Sequence, residues 1–207
     1  MYNLQIVTLF KKILKWTGII LLGLFILAEI IRLPFRLQEE KTVAQVAKIH
    51  ATKLTLDDVM GKNLPPDPGA NADKTVQGID ANNNGIRDDV ELAIFKEYPN
   101  SAKTRAVLLQ YALVLQMQMT LPIVNKDTVT ATVEDNENKA LTCIWSITSR
   151  ADMKKFTIET DKNENFIKSR QINTEQRKAY RKNFYEYLGS YSFHNESCDL
   201  DLTTLPN

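Results

Sequence analysis

Six residues of one short segment have the types and the spacing of a calcium loop. Residues 80–91 read Asp-Ala-Asn-Asn-Asn-Gly-Ile-Arg-Asp-Asp-Val-Glu, which matches the EF-hand pattern D-x-[DN]-x-[DN]-G-x5-E without a gap. Calcium is a hard cation that takes about six to eight oxygen ligands. The predicted ligands are the side chains of Asp80, Asn82, Asn84, Asp88 and Glu91 and the main-chain carbonyl of Ile86.

The order of these residues gives each position a physical role. Asp80, Asn82 and Asn84 are spaced by two, so a turn brings their side-chain oxygens around one point. Gly85 permits the sharp turn at the sixth position because it has no Cβ. Glu91, at the twelfth position, begins the following helix and supplies two oxygens.

Two features separate the segment from the paired EF-hands of calcium sensors. Residues 65–78 contain prolines and predict no helix entering the loop, and Arg87 stands where paired loops carry an aliphatic residue. With three carboxylates and no second loop, we expect a structural site with a dissociation constant on the order of 10⁻⁴ to 10⁻³ M. The alternative is metal-free: Asn84-Gly85 is a tight turn, and Asp88 or its neighbour caps the next helix.

The two cysteines suggest a covalent link within the same part of the chain. Cys143 and Cys198 are the only cysteines, and an even count in an exported chain predicts a disulfide between them. Two buried free thiols are an alternative, as is a zinc site completed by His194. His50 and His194 are the only histidines, and neither lies in a recognisable nucleophile motif, so no catalytic residue is predicted.

An apolar segment near the N-terminus predicts where this chemistry takes place. Residues 16–28 contain no charge, and the range 14–34 provides the roughly 20 residues that cross a bilayer. The basic residues Lys11, Lys12 and Lys15 precede it, which predicts a cytoplasmic N-terminus and an exported remainder. A cleaved signal peptide fits the same order of residues, and a buried helix of a soluble domain is a third alternative.

Charge and composition limit the function classes. The chain has 26 basic and 25 acidic residues, and the part after residue 36 holds 21 basic against 24 acidic residues. A mildly acidic domain without a basic stripe is a poor nucleic-acid binder, because phosphate recognition needs clustered Lys and Arg. Only seven Gly and seven Pro are present, which argues against a chain disordered throughout.

Apolar periodicity predicts a mostly α-helical protein. The expected organisation is a cytoplasmic stub and transmembrane anchor (1–36), a helical stalk (37–60), a Pro-rich linker (61–79) and a small helical domain (80–207) opened by the calcium loop. Helices are expected over 88–98, 101–119, 153–167 and, with a strand at 129–133 as the alternative, over 127–147. Further N-terminal caps are expected at Thr55, with Asp58 three residues on, and at Asn173.

The loop and its surroundings resemble a known group of proteins. Residues 78–91 look like a loop of uncharacterised exported proteins of gammaproteobacteria, and the likeness extends to Leu64-Pro-Pro, Tyr98-Pro-Asn-Ser101 and residues 173–180. The loop is also similar to dockerin and thrombospondin-type calcium loops. The resemblance implies a Gram-negative periplasmic location and an EF-hand-like loop, and it implies no activity.

These observations together predict a single-pass protein of the inner membrane with a periplasmic calcium-binding domain. The domain is expected to act as a binding or scaffold module and not as an enzyme. Its expected contacts are the inner membrane, through the N-terminal helix, and a protein partner, with no nucleic acid. The alternatives are an envelope hydrolase without a recognisable motif and an accessory subunit of a membrane complex.

Overall fold

The protein is mostly helical, as the apolar periodicity predicts. The computed structural model describes residues 2–193 and 198–206, and 71% of the structure is helix with no strand in these two ranges. The strand alternative for residues 129–133 is wrong, because this stretch lies in a continuous helical run. Its β-branched residues Val129 and Val133 are four apart and pack together on Phe184.

Eight α-helices follow one another along the described residues. They are α1 (Tyr2–Ala51), α2 (Leu56–Met60), α3 (Asp88–Glu97), α4 (Ala102–Thr120), α5 (Lys126–Ala131), α6 (Asn138–Ser146), α7 (Met153–Gln171) and α8 (Glu175–Glu186). A π-helical turn (Thr132–Glu137) joins α5 to α6 without a break, and short 3-10 helices occupy Gly69–Asp73 and Leu202–Thr204.

Local capping chemistry sets several of these boundaries. Asp58 N–H donates to Thr55 Oγ1 at 3.3 Å, and Thr55 N–H donates back to the Asp58 carboxylate at 2.9 Å, which confirms the predicted capping box of α2. Ser101 Oγ accepts from Thr104 N–H at 3.2 Å and caps α4. Each cap satisfies main-chain donors that the first helical turn leaves without a partner.

The cap of α8 lies one residue later than the sequence predicts. Thr174 is the capping residue, and its Oγ1 accepts from Arg177 N–H at 3.2 Å. The prediction of Asn173 as the cap is wrong, because its amide nitrogen donates to the Asp73 carboxylate at 3.0 Å. The Asn173 Oδ1 accepts from the Arg177 side chain at 2.5 Å, so Asn173 binds two side chains while Thr174 caps the main chain of α8.

The chain divides into two compact units, Met1–Val43 and Ala44–Asn207. The boundary lies within the range predicted as a stalk, and the range 61–79 belongs to the second unit, where Ala72 is buried. In the second unit α4 is the central helix and packs against α2, α3, α6, α7 and α8. All its residues from Arg105 to Met119 are buried, so α4 lies wholly inside the core.

The first unit is formed by the N-terminal part of α1. Among the described residues, one helix is long and apolar enough to cross a membrane, with a mean hydropathy of 2.1 in its most apolar window and none of that window buried. A signal sequence has the same properties by length and composition. Glu29 pairs with Arg36 at 2.8 Å and with Arg32 at 3.8 Å, so the acid in the apolar stretch is neutralised within its own helix.

Candidate functional site

The first half of the 80–91 loop closes on the carboxylate of Asp80. Asp80 Oδ1 accepts from Asn84 N–H at 3.1 Å, and Asp80 Oδ2 accepts from Gly85 N–H at 2.9 Å. Asn83 and Gly85 adopt left-handed backbone angles, with φ of 57° and 83°. Such angles favour Asn and Gly, and a Cβ added to Gly85 would lie 2.8 Å from Leu113 of the core. The sequence therefore folds here into a tight turn packed on α4.

The two asparagines orient their oxygens toward the main chain and their nitrogens toward α3. Asn84 Oδ1 accepts from Ile86 N–H at 2.9 Å, and Asn82 Oδ1 lies 3.4 Å from Asn84 N. Their Nδ2 atoms each donate to the Glu91 carboxylate at 3.1 Å, Asn82 to Oε2 and Asn84 to Oε1. Side chains of the third, fifth and twelfth positions thus meet at one point.

Glu91 lies in the first turn of α3 and is buried, with 1% of its surface exposed. Burial raises the pKa of Glu91 to about 7, against the lowering effect of the two asparagine amides. Within the described residues, Glu91 forms no ion pair with a Lys, Arg or His side chain. A carboxylate in this position is stabilised by amide donors alone, which is an expensive way to bury a negative charge.

Asp88 is the second buried acid of the loop and begins α3. Both of its carboxylate oxygens accept from Ala81 N–H, at 3.0 and 3.2 Å, so the side chain reaches back across the turn. Burial raises the pKa of Asp88, and the Ala81 hydrogen bonds lower it by a smaller amount. Its position near the N-terminal end of α3 also suits a negative charge.

The structure brings most of the predicted ligands to one turn but does not form a closed ligand shell. Asp80, Asn82, Asn84 and Asp88 hold the turn through hydrogen bonds to main-chain N–H groups. Ile86 has its side chain in the core, fully buried. Among the residues that the structure describes, no three His, Cys, Asp or Glu side chains lie close enough together to hold a metal ion.

Two fully buried arginines fix this loop to the rest of the domain, and the sequence motif identifies neither. Arg87 donates to the main-chain carbonyls of Arg170 and Gln171 at 2.6 and 3.1 Å, and to Asp89 Oδ2 at 2.8 Å. These carbonyls belong to the last turn of α7, which has no intrahelical donors for them. The signal available in the sequence is the arginine itself, at a loop position where an aliphatic residue is usual.

The second arginine holds the segment that enters the loop. Arg177 donates to the carbonyls of Val76 at 2.9 Å and of Thr75 at 3.1 Å, and it pairs with Asp73. Its guanidinium is fully buried. On the other side, Asn82 Nδ2 donates to Asn63 O at 2.9 Å. Polar contacts to α8 and to the loop therefore fix part of the segment predicted as a linker.

The predicted disulfide is present between Cys143 on α6 and Cys198, with 5.3 Å between their Cα atoms. The pair leaves no thiolate for the zinc alternative, and His194 lies outside the described residues. Asp199 follows the bridge and accepts from Leu54 N–H at 2.9 Å. A disulfide is typical of an oxidising compartment outside the cytoplasm.

A second polar cluster surrounds the π-helical turn. Glu137 is buried and accepts from Gln118 Nε2 at 2.8 Å and from the Tyr185 hydroxyl, with Arg181 at 3.5 Å. Burial beside Glu137 raises the pKa of Tyr185. Glu137 is the last residue of the π-helical turn, and its buried carboxylate is bound by side chains of α4 and α8.

No known protein-family profile, characterised protein or solved structure matches this chain.

Proposed function

We propose that this chain is a single-pass membrane protein whose helical domain lies in the periplasm and binds calcium through residues 80–91. The domain acts as a binding or scaffold module that calcium stiffens. The proposal combines a helix able to cross a membrane, a disulfide in the domain and a calcium-loop sequence at a tight turn. The observation that carries the metal part is Glu91, an acid buried beside two amide-bearing side chains.

Glu91 supports a cation because its burial is poorly compensated. Removing the Glu91 carboxylate from water raises its pKa to about 7, even though hydrogen bonds from two neutral amides act in the opposite direction. A divalent cation beside the carboxylate favours the ionised form far more strongly than an amide does. The side chains of Asn82 and Asn84 already lie against Glu91 at 3.1 Å, so the oxygens that calcium needs are on the same residues.

Calcium would be held by oxygens of the six predicted residues. Glu91 supplies the carboxylate from α3, and Asp80 and Asp88 supply the other two acids of the loop. Asn82 and Asn84, whose amide nitrogens contact Glu91, would contribute their side-chain oxygens. The sixth ligand is the carbonyl of Ile86, and Asp88 would bind either through a carboxylate oxygen or through a water molecule.

A structural role follows from where the loop is attached. Arg87 and Arg177 bind the segments on both sides of the turn to the ends of α7 and α8. An ion at the turn therefore ties α3 to two other helices and raises the stability of the whole domain. Its weak expected affinity, on the order of 10⁻⁴ to 10⁻³ M, suits the calcium levels of an extracytoplasmic compartment.

The orientation in the membrane is part of the same proposal. Three lysines precede the apolar stretch, and positive residues stay on the cytoplasmic side. The disulfide pair lies after the stretch, on the side that the proposal assigns to the periplasm. Fusing alkaline phosphatase to the C-terminus tests this orientation directly, and we expect the fusion to be active. The orientation is contradicted if that fusion is inactive and a fluorescent cytoplasmic reporter fused at the same position is fluorescent.

The calcium site is tested by titrating the full-length protein in detergent micelles with Ca²⁺ after treatment with a chelator. We expect measurable heat and a rise in the thermal midpoint at millimolar Ca²⁺. Asp80→Ala should abolish both effects, whereas Asp161→Asn, an exposed acid on α7, should leave them unchanged. Equal titrations of wild type and Asp80→Ala, or no response up to several millimolar Ca²⁺, would sink the metal part of the proposal.

A further inference from the structure

A polar cleft of about 270 Å³ lies in the second unit, away from the calcium loop. One wall is the end of α1 and the residues that follow it, and the other is the π-helical turn and the start of α6. The residues that line the cleft are His50, Lys53, Asp135, Asn136 and Lys139. Three of these five side chains are basic, which is unusual in a domain with an excess of acids.

The acidic groups near the cleft are already engaged. Asp135 Oδ2 lies 2.7 Å from His50 Nε2, and this contact joins the two walls. Asp199 shares its carboxylate between Lys139 Nζ at 2.8 Å and Leu54 N–H at 2.9 Å. Lys139 and Asp199 are 14% and 7% exposed at their side chains, so this pair is fixed in the wall and does not swing in solvent.

One hydrogen-bond donor and one positive charge of the cleft have no partner among the described residues. Asn136 Nδ2 is buried and has no acceptor in the described part of the protein. Lys53 lines the cleft and forms no ion pair with any described residue. The carbonyl of Lys48, at the end of α1, already accepts from Thr52 N–H at 3.1 Å and from Thr52 Oγ1 at 2.9 Å. A ligand that complements this surface must accept hydrogen bonds and carry negative charge.

We propose that this cleft binds a small oxyanion, with phosphate or a phosphomonoester as the ligand class. Lys53 supplies the charge that no described acid neutralises, Lys139 on the opposite wall shares its charge with Asp199, and Asn136 adds an amide donor that has no acceptor in the described part of the protein. Lysine binds phosphate as a point charge, and charge-assisted hydrogen bonds are the strong ones. The volume accommodates a phosphate with a small organic group.

The test uses the full-length protein in neutral detergent, in low-salt buffer with a calcium chelator, so that it is independent of the calcium site. Inorganic phosphate is titrated by calorimetry and by phosphorus NMR line broadening, and malonate serves as a dicarboxylate of similar charge. We expect saturable phosphate binding that is at least several times tighter than malonate binding. Malonate binding as tight as phosphate assigns the cleft to carboxylates and contradicts the phosphate assignment.

Two substitutions locate the site. Lys53→Gln should weaken phosphate binding about tenfold, because one charge-assisted hydrogen bond is lost. Asn136→Asp keeps the side-chain size and adds a negative charge, and it should abolish binding. Lys62→Gln removes an exposed lysine elsewhere, paired with Asp57, and should have no effect. The proposal is wrong if neither cleft variant changes the titration, or if Lys62→Gln weakens it as much as Lys53→Gln does.

Discussion

The guanidinium of Arg87 donates to the main-chain carbonyl of Gln171 at 3.1 Å, across more than 80 residues of sequence. The contact joins the middle of the 80–91 loop to the C-terminal end of α7. The side chain is fully buried, and its charge is compensated by the Gln171 carbonyl, by the carbonyl of Arg170 at 2.6 Å and by Asp89 at 2.8 Å. We therefore expect the loop and the C-terminal end of α7 to unfold together, in one cooperative step.

Replacing this arginine should destabilise the domain strongly. Arg87→Met keeps most of the buried volume but leaves two α7 carbonyls and the Asp89 carboxylate without their donor. Orphaned buried polar groups cost about 1–3 kcal/mol each, so we expect a loss of roughly 2–4 kcal/mol. Thermal unfolding of the full-length protein in detergent, followed by the fluorescence of Trp145 in a Trp16→Phe background, measures this loss.

Arg150→Met provides the matched control for that substitution, because Arg150 is exposed. Exposed charged residues contribute little to stability, so its thermal midpoint should stay within about 2 °C of wild type. If Arg87→Met unfolds at the same temperature as Arg150→Met, the buried guanidinium does not hold the loop to α7.

Gly78 provides a second way to test the same junction. Its φ is +70°, and an added Cβ would lie 2.4 Å from Arg87 Cδ. Gly78→Ala therefore introduces both backbone strain and a clash with the arginine, and we expect a loss of about 2–3 kcal/mol. Gly69→Ala is the control, since Gly69 also has a positive φ of 52° but has no atom within 4 Å of the added Cβ.

The difference in thermal midpoint between Gly78→Ala and Gly69→Ala measures the effect of the clash with Arg87. Both substitutions carry a similar backbone cost, so Gly78→Ala should unfold at a clearly lower temperature than Gly69→Ala. Equal thermal midpoints would show that the arginine shifts freely, contrary to a fixed junction.

The sequence predicts helices from local periodicity, and local chemistry accounts for most of what it predicts correctly. Thr55 and Asp58 form the predicted capping box within four residues, so neighbouring positions are sufficient to identify it. The disulfide is likewise predicted from a cysteine count. The left-handed conformation of Gly85 is predicted from its place in the loop pattern.

Long-range polar contacts are what the sequence does not predict. Gln116 and Gln118 interrupt the apolar face of α4 in the sequence, yet both are buried, and the amide nitrogen of each donates to a distant group. Gln116 Nε2 donates to Gln77 O at 2.7 Å, and Gln118 Nε2 donates to Glu137 at 2.8 Å. A polar residue is predicted to be exposed unless its hydrogen-bond partner is known. The periodicity of one helix contains no information about a partner 20 or 40 residues away.

The same reason limits the prediction of the candidate site. The pattern correctly places Asp80 and Asn84 in one turn, because the hydrogen bond that joins them spans fewer than five residues of sequence. It does not predict that Glu91 is buried, since the core against which α3 packs is contributed by residues far along the chain. Calcium binding itself stays a prediction from the pattern, to be decided by titration.

Burial of Glu91 predicts a pH dependence of stability in calcium-free buffer. Its pKa rises from 4.5 to about 7 on folding, so the folded protein binds the proton more tightly than the unfolded chain. This contribution to the free energy of unfolding is fully present below about pH 4.5 and is lost as the pH rises through about 7. We expect the loss to be on the order of 1–3 kcal/mol.

Thermal unfolding of wild type and Glu91→Gln in a chelator, from pH 4.5 to 8, measures this effect. Glutamine has the shape of the protonated acid, so the variant should gain stability relative to wild type as the pH rises. Glu97→Gln, an exposed change on the same helix, should follow wild type at every pH. Parallel curves for wild type and Glu91→Gln would show that the acid is not protonated on folding.

The disulfide predicts a large dependence of stability on redox state. The bridge closes a sequence separation of 55 residues, for which the chain-entropy model gives about 4 kcal/mol. The Cys143→Ser, Cys198→Ser double variant should therefore unfold about 8–16 °C below wild type. The tail loses its tether as well, and with it the contact of Asp199 with Leu54 N–H.

A reductant distinguishes the loss of the bridge from the effect of the serines. Adding dithiothreitol should lower the midpoint of wild type toward that of the double variant and leave the double variant unchanged. Alkylation of the denatured protein before and after reduction reports whether the two cysteines form a disulfide in the native, membrane-bound protein. Alkylation of both cysteines without reduction, with a midpoint insensitive to dithiothreitol, would show that the native protein carries free thiols and would remove one of the two arguments for an exported domain.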